Sequence, residues 1–274
     1  MNEISHLSNR GNGYWTTLVI CSGGMDSIGM LYDLLQDTDD EIFVMHVAVK
    51  RPNGRWVYEM DAFNSCMGWL TEHCRHFTVL PIHNMDVNNL QMWHHDPETH
   101  LGNKYTGLFT GHTKERGIIP DNNVVLFYAA HIAQYLHCDR VAYGRVEGDG
   151  FYSYAREYWR RSEAIFNLMT IDYPVKLIYP NLDGPTKREQ MDRLPHELIK
   201  KTVVCRLAEF EGPEIGWTDC NDQGRMPPCY ACRRKVAAAL GITDTRLSDD
   251  PKNWMDGTMD WPELYEKARA VWEK

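Results

Sequence analysis

Along the chain, short continuous apolar runs alternate with longer stretches in which apolar residues recur at helical spacing. The first run, "TTLVICS" (Thr16 to Ser22), reads as a strand, and Asp26 to Gln36 as the helix after it. "EIFVMHVAV" (Glu41 to Val49) is apolar without alternation, which suits a strand covered on both faces. Tyr58 to His73 has helical spacing, and "HFTVLPI" (His76 to Ile82) reads as a third strand. Asn84 to Pro120 is polar and aperiodic and reads as loop. Asn123 to Leu136 then predicts a helix and "DRVAYGR" (Asp139 to Arg145) a fourth strand. Arg156 to Ile171 predicts a helix, Val175 to Asn181 a fifth strand, and Thr186 to Leu198 a helix with Pro195 near its end. A short helix in "RRKVAAALG" ends at Gly241, and the remainder, with Trp254, Trp261 and Trp272, reads as a tail packed on the body. This alternation predicts an α/β fold: an open, mostly parallel sheet with right-handed crossovers and helices on both faces.

Composition narrows the function classes. Lys and Arg number 29 against 38 Asp and Glu, a net charge of −9, which argues against extended, nonspecific nucleic-acid binding but leaves room for a local basic patch. No run of about 18 apolar residues occurs, so no membrane span is expected. The polar start "MNEISHLSNRGNG" lacks a signal peptide's apolar segment, and a cytoplasmic location is expected. In that compartment the 8 cysteines read as thiols or metal ligands rather than disulfides.

Chemistry concentrates first at Ser22-Gly23-Gly24-Met25-Asp26-Ser27, where a strand becomes a helix. A helix N-terminus offers backbone N–H groups and a positive dipole end to phosphate. Glycines let the main chain approach closely and serines add hydroxyl donors. A carboxylate beside phosphates makes sense if Mg²⁺ lies between them, held by Asp26. The competing reading is a tight turn with Ser22 or Asp26 as a helix cap. The spacing is not that of the G-x-x-x-x-G-K-[ST] loop.

A second concentration is Cys205, Cys220, Cys229 and Cys232, spaced C-x14-C-x8-C-x2-C. Four thiolates suit tetrahedral Zn²⁺. Ordinary buried cysteines, or a redox pair at Cys229 and Cys232, are the alternatives. His46 ends the second strand, where it can stack on adenine or fill the core. Lys187 opens a helix after the fifth strand, as a phosphate contact or a solvated lysine. Arg145 and Asp149 follow the fourth strand, as substrate contacts or solvated loop residues. The histidines of the loop 94–112 match no compact metal site and read as solvated.

The hexapeptide resembles the SGGxDS signature of the ATP pyrophosphatases, the PP-loop family. That resemblance implies an adenine-nucleotide α hydrolase-like fold and cleavage of ATP between the α and β phosphates. Together with the cysteines it is similar to the 7-cyano-7-deazaguanine synthases. Supporting stretches are "IIPDNNVVLFYAAHIAQYL", "DRVAYGRVEGD", "LIYPNLDGPTKREQM" and "KKTVVC", so the resemblance covers Leu18 to Leu240. It implies segments 1–13 (extension), 14–200 (ATP-binding domain), 201–241 (a small four-cysteine zinc-binding module) and 242–274 (tail). It also implies an ATP-dependent carbon–nitrogen ligase with ATP, Mg²⁺ and Zn²⁺, acting on a carboxylate and ammonia, with a homodimer as the family's habit. In that reading Ser22, Gly23, Gly24, Met25, Asp26, Ser27 and His46 hold the nucleotide. Asp26, Ser22, Ser27 and Lys187 serve catalysis, and Asn122, Asn123, Arg145 and Asp149 meet the substrate. The chain departs from the family pattern at Pro120-Asp121-Asn122-Asn123, which lacks an arginine, at "MHVAVKRPNGRW" and at "EGDGFYSYAREYW". Those departures fall where the substrate base should bind, so a tRNA-modifying PP-loop enzyme and a relative adapted to a protein partner stand as the other readings.

Overall fold

A computed structural model describes residues 14–50, 55–86, 121–144, 152–180, 187–203, 236, 240 and 261–272. Five strands form one parallel sheet: β1 (Thr16–Ile20), β2 (Glu41–Met45), β4 (Thr78–Val79), β6 (Arg140–Tyr143) and β7 (Lys176–Ile178), in the order β4-β2-β1-β6-β7. Two more, β3 (Val47–Lys50) and β5 (His83–Asp86), pair in parallel as a separate ribbon. The sheet and ribbon are continuous along the chain: Leu80 N donates to Val44 O at 2.9 Å and His83 N to His46 O at 3.0 Å.

From β1 the chain moves to one side through α1 (Met25–Asp37) and α2 (Arg55–His73), then crosses back through α3 (Asp121–Tyr135) and continues through α4 (Tyr152–Met169). Right-handed crossovers in opposite directions put their helices on opposite faces. Val19, Ile42, Val44 and Ala142 accordingly pack with α1 and α2, while Leu18, Ile20, Val141 and Leu177 pack with α3 and Phe166 of α4. The first face also takes α5 (Lys187–Arg193), α6 (His196–Lys201), Val236 and Ala268 of α7 (Trp261–Trp272). The predicted α/β class, a parallel sheet with helices on both faces, is the observed one.

Several boundaries differ from those read along the sequence, for physical reasons. The run Glu41 to Val49 breaks at His46, whose side chain turns to the carbonyl of Cys21, just past β1. His76 to Ile82 shortens to β4 because Pro81 has no N–H for a ladder. β5 occupies Asn84 and its neighbours, which read as loop. The helix expected over Thr186 to Leu198 is two helices, α5 and α6, because Pro195 cannot continue the first and instead precedes the second. Within "RRKVAAALG", Val236 is helical and Leu240 N donates to its carbonyl at 3.0 Å.

The N-terminal edge of the sheet is held by buried charge. Asp40 and Arg140, 4% exposed each, form an ion pair, and Thr17 sits between them: Arg140 Nε donates to Thr17 Oγ1 at 2.8 Å, and Thr17 Oγ1 to Asp40 Oδ2 at 2.9 Å. The guanidinium also lies over the Trp15 ring, 5.2 Å from its centre. β1, β6 and the entry to β2 are thus tied by one network.

Arg140→Leu would strand the Asp40 carboxylate, and a loss of about 3–5 kcal/mol is expected in urea unfolding; Asp40→Asn, which keeps an acceptor for the guanidinium, should cost less. A second prediction concerns Asp33, which bonds Arg193 at 3.1 Å. Burial pushes its carboxyl up from 3.8 to about 6, against the pull of Arg193 and with help from Asp37. The folded chain therefore binds this proton more tightly than the unfolded one. The contribution is complete below 3.8 and is lost as pH rises through about 6. Unfolding followed from pH 4 to pH 7 should show Asp33→Asn gaining on the unaltered chain as pH rises.

Candidate nucleotide site

β1 has neighbours reached in opposite directions, β2 on one side and β6 on the other, so the crevice at the C-terminal ends of β1 and β6 is the topological switch point. The hexapeptide Ser22–Ser27 lies there. Gly23 has φ of 77°, a left-handed conformation that a side chain disfavours. A Cβ on it would come 2.5 Å from Glu59 O and 2.9 Å from Phe63 N, so the loop is pressed against the α2 backbone. From the other side Gly144, just past β6, is equally close: its Cβ would lie 2.9 Å from Ser27 Cα.

Within the loop, hydrogen bonds fix alternate peptide groups. The Cys21–Ser22 peptide is held at both ends, its carbonyl by His46 Nδ1 at 2.8 Å and its N–H by Ser27 Oγ at 3.1 Å. The Gly23–Gly24 peptide is held likewise, its carbonyl accepting from Val203 N at 3.0 Å and its N–H donating to Ser22 Oγ at 3.3 Å. Ser27 Oγ donates to Gly24 O at 3.0 Å, and Ile28 N donates to the same carbonyl at 3.0 Å, closing the first turn of α1. Gly24 is the N-cap and provides no side-chain cap. The amides of Gly23 and Met25 have no hydrogen bond to any described residue. Two alternate N–H groups without a protein partner among the described residues, at a helix N-terminus, are a pair of donors, here called the nest, that an anion can take up.

Asp26 is half-buried in the first turn of α1, beside that nest. Mg²⁺ takes one or two carboxylates together with phosphate oxygens and waters, so a carboxylate at this place fits the ion. Met25 is 2% exposed and its side chain belongs to the core, so only its backbone faces the nest. Ser27 is buried and serves the loop's internal bonds, whereas Ser22 is exposed. His46 is 1% exposed and stacks on Phe63, ring centres 4.7 Å apart at 20°, so its ring packs in the core against protein. Burial lowers its pKa below the usual 6.5, partly offset by the Cys21 bond and by Glu59, so the imidazole is neutral at pH 7.

α5 runs alongside α1. Arg193 bonds Asp33 and Asp37, at 3.1 and 2.8 Å, and Gln190 packs against Gly29. One turn earlier on each helix stand Lys187 and Asp26, whose positions are therefore abreast. Asn122 and Asn123 are in the first turn of α3, at the same edge of the sheet. Arg145, Asp149, the loop 94–112 and Cys205, Cys220, Cys229 and Cys232 lie outside the described residues. Among the described residues, no three or more His, Cys, Asp or Glu gather as a metal site, and Cys21, Cys66, Cys74 and Cys138 are free thiols. Burial pushes Cys66 and Cys138 up to about 12, which keeps them protonated and inert. No helix of the described residues is long and apolar enough to cross a membrane.

Sequence reasoning missed three contributors. Gly144 carried a signal, a glycine at a strand end marking close backbone approach. The carbonyl bond from Val203 and the contact of α2 with Gly23 carried none, since both come from distant segments.

Gly23→Ala is expected to lose about 1–3 kcal/mol of stability through the left-handed backbone and the clash with Glu59 O. Gly144→Ala should displace Ser27 with a smaller effect on stability. Both variants should lose affinity for magnesium pyrophosphate, read by calorimetry under conditions where circular dichroism shows them folded.

No family model matches the chain, and no curated protein sequence matches it. Solved structures do. One similar structure is the U34-tRNA thiolase NcsA from Methanococcus maripaludis with its 4Fe-4S cluster, at 15% identity and a TM-score of 0.43, covering 94% of this chain and 70% of that one.

Proposed function

We propose that the chain is an ATP-using enzyme of the pyrophosphatase type, which activates a substrate oxygen as its adenylate and releases pyrophosphate. The observation that carries this reading is the nest formed by the Gly23 and Met25 amides at the start of α1, with Asp26 adjoining it. A diphosphate fits such a nest, and a carboxylate next to it has a purpose when it shares a metal with the leaving group. Mg²⁺, when bound, offsets the charge that builds on the departing pyrophosphate, and Asp26 is the residue that would hold it. Ser22, exposed at the loop, would turn its hydroxyl proton from Ser27 Oγ to the phosphate, and Lys187, abreast of Asp26, adds a cation for the same charge. Positioning and charge stabilisation are the protein's contribution, with no covalent intermediate on the chain.

The finer reading is a carbon–nitrogen ligase similar to the deazaguanine synthases. A substrate carboxylate attacks the α-phosphate, ammonia displaces AMP, and an amide forms; a second adenylation and loss of AMP would leave a nitrile. Zn²⁺ in this reading is structural and belongs to the four cysteines. The net charge of −9 supports a small acid over tRNA as the substrate in this reading. A homodimer and a cytoplasmic location complete the proposal.

The test is incubation with ATP, Mg²⁺, ammonium and 7-carboxy-7-deazaguanine, with nucleotides and base resolved by chromatography. AMP and pyrophosphate should appear in equal amounts with an amide or nitrile product, and Asp26→Asn should slow their release by about a hundredfold. ADP and phosphate in place of AMP would sink the pyrophosphatase reading. AMP that appears only when tRNA is added would move the substrate to tRNA, and AMP only with a protein partner would move it there.

A further inference from the structure

His46 is more deeply committed to the nucleotide loop than a ring stacked on adenine would be. It follows β2 at the break before β3, 1% exposed, and three contacts meet at it. Its Nδ1 is 2.8 Å from Cys21 O. Its ring lies on Phe63, whose backbone nitrogen is one of the atoms that deny Gly23 a Cβ. Its carbonyl accepts from His83 N at 3.0 Å, which joins the ribbon to the sheet. Its Nε2 is buried and has no hydrogen-bond partner among the described residues.

A carbonyl oxygen only accepts, so Nδ1 carries the proton and Nε2 the lone pair. The other end of the Cys21–Ser22 peptide is held by Ser27, so His46 and Ser27 together set the plane of the first peptide of the loop. The next peptide, Ser22–Gly23, carries one of the two N–H groups of the nest. Release of the first peptide frees ψ of Cys21 and the Ser22 Cα at which the next peptide is hinged, and any shift of that Cα moves the N–H with it.

We infer that His46 is a positioning residue for the phosphate nest, acting as a neutral Nδ1–H donor that fixes the Cys21–Ser22 peptide and thereby aims the Gly23 amide. This rests on the nucleotide reading given above. A ring whose only role is to fill the core would depend on shape, so an aromatic substitute would serve. A positioning donor depends on the N–H, and Asn supplies one at the place of Nδ1.

The experiment compares His46→Phe with His46→Asn in the full chain, by titration with MgATP and with magnesium pyrophosphate and by thermal unfolding. His46→Phe keeps the stack on Phe63 and removes the donor; His46→Asn removes the stack and keeps a donor. The expected result is opposite rank orders: His46→Phe unfolds at the higher temperature of the two, yet binds MgATP about tenfold more weakly than the unaltered chain. His46→Asn should bind within about threefold of the unaltered chain, since it retains a donor for Cys21 O. Affinities that follow thermal stability, or a His46→Phe variant that binds as the unaltered chain does, would overturn the inference. Nitrogen-15 shifts of the imidazole give a readout that needs no variant: Nδ1 protonated and Nε2 bare is expected at pH 7, and an Nε2–H tautomer would overturn it. An unaltered chain with that Nδ1–H tautomer that binds neither MgATP nor magnesium pyrophosphate would instead sink the nucleotide reading, and the positioning role with it.

Discussion

The buried ion pair of Asp40 with Arg140, with the Thr17 hydroxyl between them, is the constraint on which the rest depends. Charges this deep recover their desolvation only with good geometry and satisfied partners, and here the pair has a third polar group and an aromatic face as well. Its residues come from β6, β1 and the turn into β2, so it fixes the relative positions of these three strands at the N-terminal edge. Short rigid strands carry that alignment to the opposite edge, about 17 Å away for five residues. There it brings Gly144, beyond β6, into backbone contact with Ser27, beyond β1. A slip of one residue in β6 would put Tyr143 or Arg145 where only a glycine fits.

With the strand ends fixed, the loop is organised by a division among peptide groups. Those of Cys21–Ser22 and Gly23–Gly24 are bonded to protein at both ends, and the alternating N–H groups of Gly23 and Met25 have no partner among the described residues. The two serines that look like phosphate donors in the sequence are thus not equivalent. Ser27 bonds three groups of its own loop, whereas Ser22 is exposed beside them. A loop whose orientation is already fixed loses little entropy when an anion arrives, which is how a few backbone amides can compete with water for a charged ligand.

Legibility followed how local each cause was. The strand-to-helix turn at Ser22–Ser27 was plain because its glycines, serines and aspartate act within six residues. The class of sheet was plain because fully apolar strands alternate with amphipathic helices. The break at His46 was not, since Glu41 to Val49 is apolar throughout and only the distant Cys21 carbonyl explains it. β5 was missed because "HNMD" has little strand propensity; it is held by pairing with β3. The split at Pro195 was the opposite case, a local signal passed over in favour of periodicity. At the loop, the close approach of Gly23 was readable, and of the two parts open to His46 the structure shows the ring in the core against Phe63. That it stands at a strand end was visible, but not which atom it would meet.

Charge acts on an anion over two different ranges. Five helices, α1 to α5, each begin at the C-terminal edge of the sheet, and a helix N-terminus favours negative charge only within about one turn. Beyond the Debye length of about 8 Å at physiological salt, screening leaves only a weak field from the chain's net charge of −9, and that field repels anions. An anion held at that edge feels the helix ends and little of the repulsion. A polynucleotide lays many phosphates across the outer surface, beyond the reach of any one helix end. The attraction of the helix ends is thus local and the repulsion diffuse, and this difference in range bears on any anionic ligand that reaches this edge of the sheet.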